Sequence, residues 1–137
     1  MGHKIDYKTL ADFRYQIRRF LNFSELAARA AQIEPQQHQA LLAIKGLPDG
    51  LSPTVGAIAE RLQIHHHSAV GLSKRLESKG LIQRSRRARD RREVLLLLTQ
   101  AGEKLLRELT AVHQEELQAT GPQLLKALKN VIRTKAS

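Results

Sequence analysis

The sequence predicts a mainly α fold that carries one two-stranded β-hairpin. Apolar residues recur at three- and four-residue steps over most of the 137 residues, the mark of helices buried along one face. Two short apolar runs, 81–86 and 93–98, break that period on either side of an arginine-dense stretch, as strands flank a hairpin tip. Just before them, two short helical patterns follow each other with only a tight break between, which is a helix-turn-helix signature.

Taken in order, Tyr7 to Ile33 reads as a long helix, with Leu10, Phe13, Ile17, Phe20, Leu21, Ala27, Ala28 and Ala31 in register and neither Pro nor Gly inside. Glu34-Pro35 ends it, because the residue before proline is pushed out of the helical region. Pro35 is itself a favoured first helical residue, so a second helix runs from it through Leu41, Leu42 and Ile44, all expected in the core, to Gly46 and Pro48. Asp49-Gly50 marks a turn. Thr54 is an N-cap for a helix whose apolar face is Val55, Ile58, Ala59 and Leu62. The pattern restarts after Ile64 as Ala69, Leu72 and Leu76, and Gly80 closes that helix with Leu81 packing back on it.

Leu81 to Arg86 and Glu93 to Leu98 then form the hairpin, a wing beside the two helices. Leu95 to Leu98 do not alternate with polar residues, which predicts a strand covered on both faces. Thr99 caps a further helix through Leu105, Leu106, Leu109, Val112 and Leu117. Gly121-Pro122 reads as a helix stop and restart, followed by a last helix through Leu124, Leu125, Leu128, Val131 and Ile132. The tail from Thr134 to Ser137 is expected to fray.

Composition narrows the function classes. A chain of this length buries roughly two thirds of its unfolded surface, enough for a core without disulfides or a structural metal. With no cysteine, thiol nucleophiles and Cys-based zinc sites are excluded. No uninterrupted apolar run exceeds five residues and the N-terminus has no apolar signal segment, so no membrane association and a cytoplasmic location are the expectation. Asp, Glu, Ser and His do not converge on a nucleophile arrangement and no glycine-rich phosphate loop is present, which argues against an enzyme.

The net charge of +10 is unevenly placed. Residues 61–100 carry 10 basic and 3 acidic side chains, and so hold +7 of it. Within them Arg84, Arg86, Arg87, Arg89, Arg91 and Arg92 put six guanidiniums in nine residues, with Asp90 the one acid among them. A charge run is usually a solvated face, but six crowded cations repel one another unless a polyanion is to be met, and nucleic acid is that partner class. An anionic membrane surface would call instead for basic residues along an amphipathic helix.

In the second helix of the pair, Ala69, Leu72 and Leu76 face the core. His66, His67, Ser68, Val70, Gly71, Lys74 and Arg75 are left on or near the outward face, where side chains can meet the major groove of double-stranded DNA. His65-His66-His67 invites a metal reading. Successive helical residues point about 100° apart, so three in a row do not converge on one ion, and the spacing that would bring two onto one face is absent; no metal or other cofactor is expected.

Over nearly its whole length the chain resembles the MarR family of winged helix-turn-helix transcriptional regulators. The resemblance is carried by Glu34-Pro35-Gln36-Gln37, by Thr54-Val55-Gly56-Ala57-Ile58-Ala59-Glu60-Arg61-Leu62, by Lys74-Arg75-Leu76-Glu77-Ser78-Lys79-Gly80-Leu81-Ile82, and by Asp90-Arg91-Arg92 followed by Leu98-Thr99 and Gly102. The resemblance implies one domain over 1–137, in which 1–34 and 100–137 form a helical dimerisation region and 35–99 the DNA-binding region. It further implies a homodimer on a pseudo-palindromic operator, often released by a small anionic or phenolic effector. Arg92 would enter the minor groove, and Asp90 would orient the wing. A ligand cleft near the first two helices would involve Phe13, Arg14 and His38, although a lone His among leucines is more often a packing residue. Gly71 departs from the family, which commonly has a long polar side chain there. The function expected is a sequence-specific, ligand-responsive repressor. The alternatives are an architectural DNA binder using the same charge and a metal-responsive protein built on the histidine triplet.

Overall fold

A computed structural model of the chain describes residues 5–86 and 93–133. Its elements are α1 (Tyr7–Ala30), α2 (Pro35–Lys45), α3 (Val55–Leu62), α4 (His66–Ser78), β1 (Ile82–Arg86), β2 (Val94–Leu98) and α5 (Gln100–Arg133). This is the mainly α fold with one antiparallel hairpin that the sequence predicts. Among the described residues no helix is long and apolar enough to cross a membrane. Contacts divide the chain into two compact units, Ala28–Leu109, and Met1–Ala27 with Thr110–Ser137.

The Ala28–Leu109 unit is built on Leu41, Ile58, Leu72, Leu76, Ile82 and Leu96, each at most 2% exposed. Local sequence positions each element on this core. Glu34 opens α2 with a reciprocal capping box, its backbone N–H donating to Gln37 Oε1 at 2.9 Å. Thr54 caps α3 by accepting from the Ala57 N–H at 3.1 Å. A single left-handed residue, Gln63 (φ 56°, ψ 47°), ends α3, and its side-chain amide donates to the Glu60 carbonyl at 2.8 Å. Gly80 (φ 74°) ends α4 as expected, with the Leu81 N–H returning to the Leu76 carbonyl at 3.1 Å.

The hairpin pairs Ile82 with Leu98, Arg84 with Leu96 and Arg86 with Val94. On its other edge β2 is met by the chain entering α3: the Leu96 N–H donates to the Pro53 carbonyl at 2.8 Å, and Thr54 bridges Leu95. The exit is equally tied. The Thr99 hydroxyl donates to the Gly80 carbonyl at 2.6 Å and accepts from the Gly102 N–H at 3.1 Å, while the Thr99 N–H donates to the Leu81 carbonyl at 3.1 Å.

The unit formed by the chain ends pairs parts of α1 and α5. Asp6 caps α1, accepting from the Thr9 N–H at 3.1 Å. His113 Nε2 lies 2.8 Å from Ser24 Oγ, and the imidazole meets Phe20 and Phe23 edge-on at 6.0 and 5.4 Å between ring centres. Many apolar side chains here remain in solvent, Leu21, Leu26, Leu125 and Ile132 each at least half exposed.

Four expectations are corrected. Gly121-Pro122 does not break the last helix, which runs from Gln100 to Arg133. Proline expels its predecessor from helical geometry partly through that residue's Cβ, and Gly121 has none. The first helix stops at Ala30, not Ile33. Gln32 turns left-handed (φ 65°), the Ile33 N–H donates to the Ala28 carbonyl at 3.1 Å, and Ile33 folds into the core. Strand β2 is not covered along both faces: Leu96 is 2% and its neighbour Leu97 46% exposed, with Leu95 and Leu98 half-buried. Leu42, expected inside, is 42% exposed beside the fully buried Leu41.

Candidate nucleic-acid interface

Helix α4 owes its orientation to one packed face, formed by Ala69, Leu72, Ser73 and Leu76. Ser73 is tolerated there because its hydroxyl donates to the Val70 carbonyl at 2.8 Å, leaving no unsatisfied polar atom. On the other side His66, His67, Ser68, Lys74 and Arg75 are exposed, and Val70 and Gly71 are half-buried. The side chains of Lys74 and Arg75 make no ion pair or hydrogen bond among the described residues, so their charge is available to a partner.

At the start of α4, His65 stands in the N-cap position with extended backbone, and its ring stacks on that of His67 at 5.7 Å with planes 8° apart. Parallel stacked rings do not aim their nitrogen lone pairs at one point. Among the described residues no group of three or more His, Asp or Glu is placed to hold a metal ion. Further along, the arginine guanidinium of residue 75 reaches back a turn. A β-carbon added at Gly71 would stand 3.3 Å from Arg75 Nη1.

Strand β1 carries Arg84 and Arg86 on the face that Ile82 begins, since alternate residues share a face. Arg84 is anchored through its backbone. Its N–H donates to Glu77 Oε2 at 3.0 Å, joining the hairpin to the end of α4, and its Nε is buried with no hydrogen-bond partner among the described residues. Arg84 lines a shallow cleft of about 220 Å³ together with Thr54, Gly56, His66, Val70 and Glu93. Arg86 is exposed. Arg87, Arg89, Asp90, Arg91 and Arg92 lie outside the described residues.

The three residues suggested for an effector fall in different units. Phe13 is half-buried and Arg14 exposed on α1, whereas His38 is 2% exposed inside the Ala28–Leu109 unit, its Nδ1 3.4 Å from Gln39 Nε2. A cleft of about 300 Å³ lies instead in the unit of the chain ends, with Gln16, Arg19, Phe20 and Phe23 from α1 and Glu116 and Thr120 from α5 on its walls. Sequence reasoning missed it. The signal was present: 16, 19, 20 and 23 follow the helical step, with polar and aromatic residues interleaved on one face.

A sequence profile of the MarR family matches residues 31–93. The chain is also similar to MepR of Staphylococcus aureus, solved in complex with DNA, with 28% identity over 88% of this chain and 85% of that one and a TM-score of 0.69. The profile covers just under half of the chain, and both findings place the MarR family as what the chain is similar to. MepR is a transcription regulator of the multidrug efflux pump MepA. The chain shares its fold with YusO of Bacillus subtilis, at 22% identity and a TM-score of 0.64 over 95% of this chain and 96% of that one. It shares it too with BpsR of Bordetella bronchiseptica, at 22% identity and a TM-score of 0.66 over 88% and 92%. Among curated proteins there is no match. Within the MarR-family fold, α3 and α4 are the helix-turn-helix and β1–β2 the wing.

Proposed function

We propose that the chain is a DNA-binding transcription regulator, a homodimeric repressor that reads a pseudo-palindromic operator and is released by a small effector. The observation that carries the reading is the outward face of α4. A helix fixed by Ala69, Leu72 and Leu76 presents His66, His67, Ser68, Lys74 and Arg75 to solvent beside the arginine-bearing strand β1. A helix of this kind fits the major groove, while the cations of the wing suit phosphates and the minor groove. In this reading Arg84, Arg86, Arg87, Arg89, Arg91 and Arg92 grip the DNA backbone, with Asp90 holding a wing arginine in place.

The half-exposed leucines of α1 and α5 support a second copy as partner, since apolar stripes of that size in water are association sites. Two-fold symmetry would then set the recognition helices one helical turn of DNA apart, about 34 Å. An effector is suggested by the cleft of about 300 Å³, whose Arg19, Phe20 and Phe23 suit a small anionic or phenolic molecule. DNA binding by BpsR of Bordetella bronchiseptica is regulated by 6-hydroxynicotinic acid, a compound of that class.

Selection of bound sequences from a random DNA pool at near-physiological salt tests the proposal. A regulator enriches one site and prefers it over unrelated DNA by roughly 10³-fold or more. Enrichment of no sequence, with tight binding throughout, would establish an architectural binder instead.

A further inference from the structure

We infer that Gly71 is a seat for the Arg75 guanidinium, and that Arg75 placed there reads a guanine in each operator half-site. The inference rests on the DNA-regulator reading above and names the residue that supplies its specificity.

Arg75 is the tenth residue of the thirteen in α4, late in a helix whose earlier residues normally reach deepest into the groove. Long helical side chains lean toward the N-terminus, onto the residue four positions back. Here that residue is Gly71, and the guanidinium lies so close over it that a β-carbon would come to 3.3 Å from Nη1. That is tighter than ordinary van der Waals contact. Arg75 so placed delivers its charge about 5 Å, one turn, nearer the start of the helix than its own α-carbon, and a methyl at 71 would displace the guanidinium from that seat by a few tenths of an ångström.

Three features make the seated group a reader and not merely a phosphate contact. It occupies the middle of the outward face, between His67 and Ser68 on one side and Lys74 on the other, at the one position of that face that has no side chain of its own. It has no ion pair or hydrogen bond among the described residues, so all its donors are open. Its planar fork matches the O6 and N7 acceptors that guanine alone presents side by side in the major groove. A mid-helix glycine that weakens α4 is then part of the recognition surface.

The test starts from the sites enriched by the full chain. Affinity is measured for the parent, Gly71→Ala, Arg75→Lys, Arg75→Ala and the double variant Gly71→Ala, Arg75→Ala. Each G·C pair of the site is exchanged for A·T in turn. One G·C pair per half-site should cost the parent roughly 5- to 150-fold when exchanged. In Arg75→Lys and Arg75→Ala that penalty should fall to nearly one at this pair only. Gly71→Ala should shrink the same penalty while raising the melting temperature by a few degrees, because alanine favours the helix. The double variant should behave at this pair like Arg75→Ala alone. If every G·C penalty survives Arg75→Ala, Arg75 is not the reader although the regulator reading stands. If Arg75 variants lose the penalty and Gly71→Ala keeps it whole, the seat is wrong. Should the parent enrich no sequence, both the reader and the specific regulator fall together.

Discussion

Gly102 packs its bare α-carbon against the carbonyl oxygen of Leu81, which already accepts the Thr99 N–H at 3.1 Å. A β-carbon at 102 would fall inside contact distance of that oxygen, and the obstacle is backbone, which cannot swing aside. Gly102→Ala should therefore destabilise the fold by about 2 kcal/mol or more, against the gain of roughly 1 kcal/mol that alanine brings in an open helix. Chemical denaturation followed by circular dichroism checks the sign. A variant as stable as the parent would mean that α5 can shift away from the hairpin exit without cost.

The exposed leucines of α5 predict the oligomeric state. Sedimentation should show a dimer at micromolar concentration, and Leu125→Glu should move it toward monomer without unfolding the chain. Leu125 is 52% exposed, so its loss removes little from the core. A parent that sediments as a monomer, or a Leu125→Glu variant as dimeric as the parent, would count against this face as the contact.

Arg86 tests the wing. Being exposed, it contributes little to folding, and Arg86→Ala should leave the melting temperature nearly unchanged. Affinity for DNA should fall, and the slope of log K against log salt should become shallower by about 0.9 if one phosphate contact is lost. An unchanged slope would place Arg86 away from the backbone.

The histidines at the start of α4 test the placement of the recognition surface. His66 and His67 are exposed on the outward face of the helix. If they lie against phosphates or base edges, the variant His66→Gln, His67→Gln should bind the enriched site more weakly while its melting temperature stays close to that of the parent. Unchanged affinity would show that these two exposed rings do not face the DNA.

Much of this was legible in the chain because it rests on local chemistry. Thr54, Pro35 and Gly80 signal their helix ends by residue type alone, and Ala69, Leu72 and Leu76 mark the packed face of α4 by spacing. What stayed hidden depends on non-local contact or on an exception to a local rule. Nothing in Gln32 or Gln63 announces a left-handed backbone, and the Gly121-Pro122 pair reads as a stop until the missing Cβ of Gly121 is weighed. The bridge from Pro53 and Thr54 to β2 joins residues some forty positions apart. In the site, composition located the basic segment, but the Arg75 guanidinium over Gly71 and the Glu77 carboxylate on the Arg84 N–H required coordinates.

Pro122 inside α5 has a consequence for how that helix breathes. Proline brings no amide hydrogen, so the Gln118 carbonyl four residues earlier loses its partner in the helical ladder, and the flanking glycine adds backbone freedom. Cooperative stability along a helix is passed on by consecutive hydrogen bonds. Amide exchange from the C-terminal end should therefore proceed as one block back to Pro122 and stop there, leaving the stretch before Gln118 to open on its own, slower schedule. A helix continuous in sequence is thus two segments by thermodynamics.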